Sequence, residues 1–141
     1  MLLTNGQIEY APVIATMHAD CFEEKWSENA IRTLLNLPTT IAWLDERGFL
    51  LCSRVLDEME ILTIGVLPEY RQQKIASQLL TEMIEWASQK QITKIFLEVS
   101  AQNTAAQKLY QKFGFYQTGL RAGYYKTHQG SIDALCLTKD I

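Results

Sequence analysis

Cysteine, histidine, proline and surplus positive charge are all scarce in this 141-residue chain. The three cysteines, Cys21, Cys52 and Cys136, are odd in number, widely spaced and form no Cys-x-x-Cys pair. With only His18 and His128 beside them, they give no disulfide framework and no zinc-ligand spacing, so no metal is expected. They read as small buried apolar residues. Lysine and arginine number 13 against 16 aspartates and glutamates, a net charge of 13 − 16 = −3. That balance offers no basic stripe and argues against nucleic-acid binding. No apolar run approaches the roughly 20 residues of a membrane span. The opening Met1-Leu2-Leu3-Thr4-Asn5-Gly6 has no basic, then apolar, leader pattern, so a cytoplasmic protein is expected. No linker, repeat or biased stretch divides the chain, and one domain over residues 1–141 is expected. Nothing in the sequence sets the oligomeric state, and a monomer is compatible with it.

What is present is a globular mixture, 48% hydrophobic and 21% charged. Pro12 suits the first turn of a helix reaching about Phe22, and Ser27 suits the cap of a helix over 28–37 that Pro38 ends. The periodicity then changes to strands over 39–44, 49–56 and 60–67, the first two hinged at Glu46-Arg47-Gly48. A long helix is expected over 71–90, with Ile75, Leu79, Met83, Trp86 and Ala87 on its apolar face. A strand over 93–100 follows, then a helix capped by Asn103 and closed by Gly114, then strands over 115–124 and 132–138. The order α-α-β-β-β-α-β-α-β-β predicts an α/β protein, a mixed sheet flanked by helices.

Chemistry concentrates between residues 61 and 77. Gly65 interrupts a strong strand, which marks either a bulge or a close approach to the backbone. Backbone groups left unpaired there, at Ile64, Gly65 and Val66, can pair with a ligand carrying amides. The first amides of the next helix form an anion site, and Arg71 and Lys74 add positive charge where the helix dipole disfavours it. A plain solvated helix start reads equally well from composition alone.

The run Arg71-Gln72-Gln73-Lys74-Ile75-Ala76 resembles the acetyl-CoA pyrophosphate loop of the GNAT N-acetyltransferases. A second segment matches more tightly: Leu97-Glu98-Val99, then Asn103-x-x-Ala106, Leu109-Tyr110 and Gly114-Phe115. Together with Arg121-x-x-Tyr124-Tyr125, His18-x-x-Cys21-Phe22 and Trp26-Ser27, it resembles the ribosomal-protein alanine N-acetyltransferases. The resemblance spans nearly the whole chain and implies the GNAT fold with acetyl-CoA as co-substrate. It implies coenzyme contacts from Ile64, Gly65, Val66, Arg71, Gln72, Gln73, Lys74, Ile75, Ala76, Ser77 and Asn103. It implies a protein N-terminus as acceptor, from a ribosomal protein. Two residues depart from the pattern: Lys74 stands where the loop has glycine, and Ser100 where arginine is common.

Acetyl transfer needs a base for the amine and an acid for the leaving thiolate. The resemblance makes Glu98 the base, although alternation along the strand alone would put it on a solvated face. Glu60 is the second candidate. The resemblance makes Tyr110 the acid, although helical spacing alone would make it a core aromatic. A backbone amide at Val66 would hold the thioester oxygen. Trp26, Tyr124 and Tyr125 resemble the family's peptide-binding walls, and His18 reads as structural. Two alternatives stay open: a small-amine or lysine acetyltransferase, and a non-catalytic acyl-CoA-binding module whose loop is altered at Lys74.

Overall fold

The computed structural model describes residues 1–4 and 6–141. The elements are β1 (Leu2–Leu3), α1 (Ala11–Cys21), α2 (Glu28–Leu35), β2 (Thr40–Asp45), β3 (Gly48–Val55) and β4 (Glu58–Val66). They continue with α3 (Ile75–Gln89), β5 (Lys94–Ser100), α4 (Thr104–Lys112), β6 (Tyr116–Thr127) and β7 (Gly130–Asp140). Among the described residues, seven strands form one sheet in the order β1-β2-β3-β4-β5-β7-β6. Of these described strands, β4 and β5 alone run parallel, joined by the α3 crossover. The expected mixed sheet with flanking helices is what forms.

Local chemistry sets several boundaries. The Ser27 hydroxyl accepts from the Ala30 amide at 3.1 Å, and the Asn103 side chain accepts from the Ala106 amide at 3.1 Å. Both residues therefore cap their helices as expected. Gly114, at φ 88°, ends α4 in the left-handed conformation that costs glycine least.

Alternation along the strands splits the core between two faces. Ile41, Trp43, Met59, Ile61, Ile95, Leu97 and Val99 pack under α3 through Ile75, Leu79, Leu80, Met83 and Ala87. Ala42, Leu44, Phe49 and Leu51 pack under α1 and α2 through Ile14, Met17, Ile31 and Leu35. On that second face α1 lies on β3 and β4 and α2 on β2.

Several boundaries differ from expectation. The long helix starts at Ile75, not Arg71, because Gln72 (φ 62°) and Lys74 (φ 64°) are left-handed and Arg71 is extended. The second helix stops at Leu35, two residues before the expected end. The last two strands are longer than expected and meet in a turn at His128-Gln129. Of the two readings of Gly65, the close approach holds and the bulge does not: the bulge falls at Leu62, where Cys52 pairs with Ile61 and Leu51 with Thr63. Gly65 instead serves close packing, for a Cβ there would sit 2.7 Å from the Phe49 ring and 3.0 Å from the Cys21 sulfur.

Candidate active site

The site opens where β4 and β5 part. Their parallel pairing runs from Glu58 and Lys94 to Ile61 and Leu97, then stops at the Leu62 bulge. Beyond it β4 follows β3 to Val66, while β5 follows β7 to Ser100. A bulge bends its strand and raises local twist, and here the bend opens a wedge between two central strands. A cavity of about 390 Å³ fills the wedge, lined by Leu62, Ile64, Glu98, Ser100, Asn103 and Tyr110 among others. A second, of about 970 Å³, lies between Glu23, Glu24, Trp26, Leu34 of α2, Glu60, Arg121 and Tyr124. Both are bordered by Leu62, Glu98 and Tyr125, so they adjoin across the sheet.

Glu98 points away from the α3 side, between Leu97 and Val99, which pack into it. One nitrogen of Arg121, Nη1, donates to both of its carboxylate oxygens, at 2.8 and 3.0 Å. The guanidinium also lies 4.2 Å from the centre of the Tyr124 ring. Glu60, two positions back on the same face of the neighbouring strand, shares the larger cavity. Burial and the nearby Glu98 charge raise its carboxyl above the usual range, against a smaller opposing effect of Arg121.

Tyr110 is 4% exposed, edge-on to Phe115, and also lines the wedge. It is thus a core aromatic and a cavity residue at once. Burial pushes its hydroxyl well above the ordinary tyrosine value. Asn103 reaches the same cavity while capping α4.

The segment 71–77 borders neither cavity: Arg71, Gln72, Gln73 and Lys74 are exposed, Ala76 and Ser77 half-buried. Arg71 turns back, its Nε donating to the Val66 carbonyl at 3.1 Å, and the Cys21 thiol donates to the same oxygen at 3.4 Å. Ile75 is buried in the core, so only its backbone is available to a ligand. Ile64 and Val66 pack their side chains against the α3-side core.

His18 is structural. It stacks on Trp26 at 4.8 Å, and its Nδ1 accepts from the Trp26 amide at 3.4 Å. Through that stack it fixes one wall of both cavities. Burial raises the Cys21 and Cys52 thiols above their ordinary values, which keeps them protonated and poor nucleophiles. Among the described residues, no group of three or more ligand-type side chains is placed to hold a metal. No helix there is long and apolar enough to cross a membrane.

Glu23 and Glu24 line both cavities and were not legible as site residues, since nothing separates them from any acidic loop. The Arg121–Glu98 contact was equally hidden. It spans β7, and only the strand order reveals that β5 and β6 flank it.

Residues 11–115 match the acetyltransferase (GNAT) family. The chain belongs to that family. Among relatives, a "[Ribosomal protein bS18]-alanine N-acetyltransferase" of Salmonella typhimurium is 33% identical over 82% of this chain and 81% of its own length. One of the same description from Haemophilus ducreyi is 39% identical over 60% of this chain, and the match spans 58% of that protein. Among solved structures, the ribosomal-protein-S18-alanine N-acetyltransferase of Escherichia coli superposes with a TM-score of 0.90 at 25% identity. That superposition covers all of this GNAT chain and 93% of the other.

Proposed function

We propose that this acetyltransferase moves the acetyl group of acetyl-CoA to the N-terminal α-amine of a protein. The acceptor is the N-terminal alanine of a small-subunit ribosomal protein of the S18 type, in the cytoplasm. The observation that carries the reading is the pair of adjoining cavities. One is an apolar wedge bordered by Tyr110 and Asn103, the other a carboxylate- and tyrosine-lined cleft, and Glu98 stands at their junction. The names of the relatives support the choice of acceptor.

The residues present suit acetyl-CoA. The exposed turn 71–74 leads into the unpaired first amides of α3, which with the helix dipole favour phosphates. The wedge is bordered by Ile64, and from there the edge of β4 toward Gly65 and Val66 suits the extended amide-bearing arm, pairing as an added strand would. Acetyl-CoA supplies the thioester; attack by the amine forms the C–N bond and breaks the C–S bond. Glu98 takes the proton that the attacking nitrogen must lose. A free α-amine has a pKa of about 7.7–8.0, so a modest base suffices. The Val66 amide donates to the thioester oxygen as negative charge builds there. Tyr110 donates toward the departing sulfur. Its raised pKa keeps the hydroxyl protonated, which suits a hydrogen-bond donor and makes complete transfer to a thiolate near 8.5 uphill.

Thiol release from acetyl-CoA with three short peptides tests this reading. The first begins with a free alanine, the second is N-blocked, and the third is N-blocked with an internal lysine. Release with the first alone is expected. Release with the lysine peptide would keep the fold and overturn the acceptor. Silence with all three would overturn α-amine transfer.

A further inference from the structure

Arg121 makes an unusual contact with Glu98. Arginine commonly meets a carboxylate with two nitrogens side by side, yet here Nη1 alone sits in the fork between both oxygens, at 2.8 and 3.0 Å. A single nitrogen in that fork has the geometry of an ammonium group. Its outer side is closed by the face of Tyr124, 4.2 Å from the guanidinium carbon, as an aromatic ring closes around a cation. The fork opens on the 970 Å³ cleft. Carboxylate, ring face and cleft thus form a cation box that the chain fills with its own side chain.

We infer that Arg121 is a resident stand-in for the acceptor's ammonium group, displaced from Glu98 when the acceptor binds. The inference rests on the α-amine reading above. Three further features fit displacement. The arginine side chain is 53% exposed and has open solvent to move into. It stands at the edge of an irregular stretch of β6, between Arg121 and Tyr125, where pairing with β7 lapses. That stretch is pinned at its middle, the Gly123 amide donating to Asp133 at 2.8 Å, so the arginine can leave while the ring of Tyr124 keeps its support. A part-exposed ion pair is weak, so holding it closed lowers apparent acceptor affinity by no more than about fivefold.

The test uses Arg121→Met, which keeps the stem and removes the charge. The KM for a free-alanine peptide is expected to fall up to about fivefold, with kcat within twofold of the parent. Binding of the same peptide N-acetylated, measured by calorimetry with coenzyme A present, is expected to be unchanged. In Arg121→Ala, millimolar guanidinium chloride is expected to compete with the peptide and not with acetyl-CoA, having refilled the fork. A rise in KM with kcat down tenfold or more, rescued by Arg121→Lys, would make Arg121 a positioning residue for Glu98 and overturn the inference. An unchanged KM with no guanidinium competition would also overturn it. A parent inactive on every free-amine peptide would overturn the α-amine reading itself, and the inference with it.

Discussion

Two non-glycine residues, Gln72 and Lys74, hold left-handed backbone within three positions, immediately before α3. Left-handed geometry costs an L-residue roughly 1–2 kcal/mol, because Cβ crowds the following carbonyl. Glycine escapes that strain and loses about 0.5–1 kcal/mol through the greater freedom of its unfolded chain. Lys74→Gly is therefore expected to stabilise the protein by about 0.5–1 kcal/mol, a rise in Tm of roughly 2–4 °C. The same change removes an ammonium group beside the proposed phosphate cradle, so acetyl-CoA binding is expected to weaken most at low salt. Thermal scans and titrations at two ionic strengths check both halves; equal affinity at low salt would show that the lysine contributes no charge to the coenzyme. The two carboxylates separate in the same way. Glu98→Gln is expected to lower kcat by about 10²–10⁴, the usual worth of a general base, with Glu60→Gln affecting it less than tenfold. The reverse order in steady-state rates would transfer the role to Glu60, whose raised carboxyl already suits proton exchange.

Strand β4 carries the element that makes the site, and its glycine is there for packing. A Cβ at Gly65 would meet Phe49 at 2.7 Å, and that ring is wholly buried beneath α1 with nowhere to go. Gly65→Ala is expected to cost about 1–3 kcal/mol in chemical denaturation, from overpacking rather than lost function. A variant as stable as the parent would show that α1 rides loosely on the sheet. The contrast between Gly65 and Leu62 also shows where the sequence was readable. Strands and helices announced themselves by period and caps, and Asn103, Ser27 and Gly114 do what their chemistry indicated. The bulge did not, because Leu62 is an ordinary strand residue whose displacement arises from pairing with β3. The start of α3 was misplaced for a related reason. Arg71, Gln72, Gln73 and Lys74 are all good helix formers, and no Ser, Thr, Asp or Asn marks the true cap. The family resemblance, not strand alternation or helical spacing, singled out Glu98 and Tyr110, and their surroundings (Arg121 above one, Phe115 beside the other) needed the strand order.

Across the whole molecule, the two helices over the second face are tied to the cleft through one neutral histidine. His18 is 2% exposed, packed against Phe22, Trp26 and Phe49, and accepts the Trp26 amide, which requires an unprotonated Nδ1. Burial lowers its pKa below the ordinary 6.5. Above that value neither the folded nor the unfolded chain protonates it, and stability is unaffected. Below it the unfolded chain binds a proton that the folded chain resists, so stability falls as the pH drops, by at most about 1.4 kcal/mol per pH unit. Glu60 acts oppositely: its raised carboxyl makes the folded state the better proton binder at mildly acid pH, which relieves part of the loss. Asp45, held near 2 by Arg47, enters only below the unfolded value of 3.8, and its half-exposed pair contributes little. Melting at pH 7.5 and 5.5 is thus expected to show a lower Tm at 5.5 for the parent and a larger drop for Glu60→Gln. His18→Asn keeps an acceptor for the Trp26 amide and cannot titrate; it is expected to melt lower overall, with no fall between the two pH values. A His18→Asn protein that retains the parent's fall would place the acid sensitivity elsewhere and break the link between this histidine and the wall of the cleft.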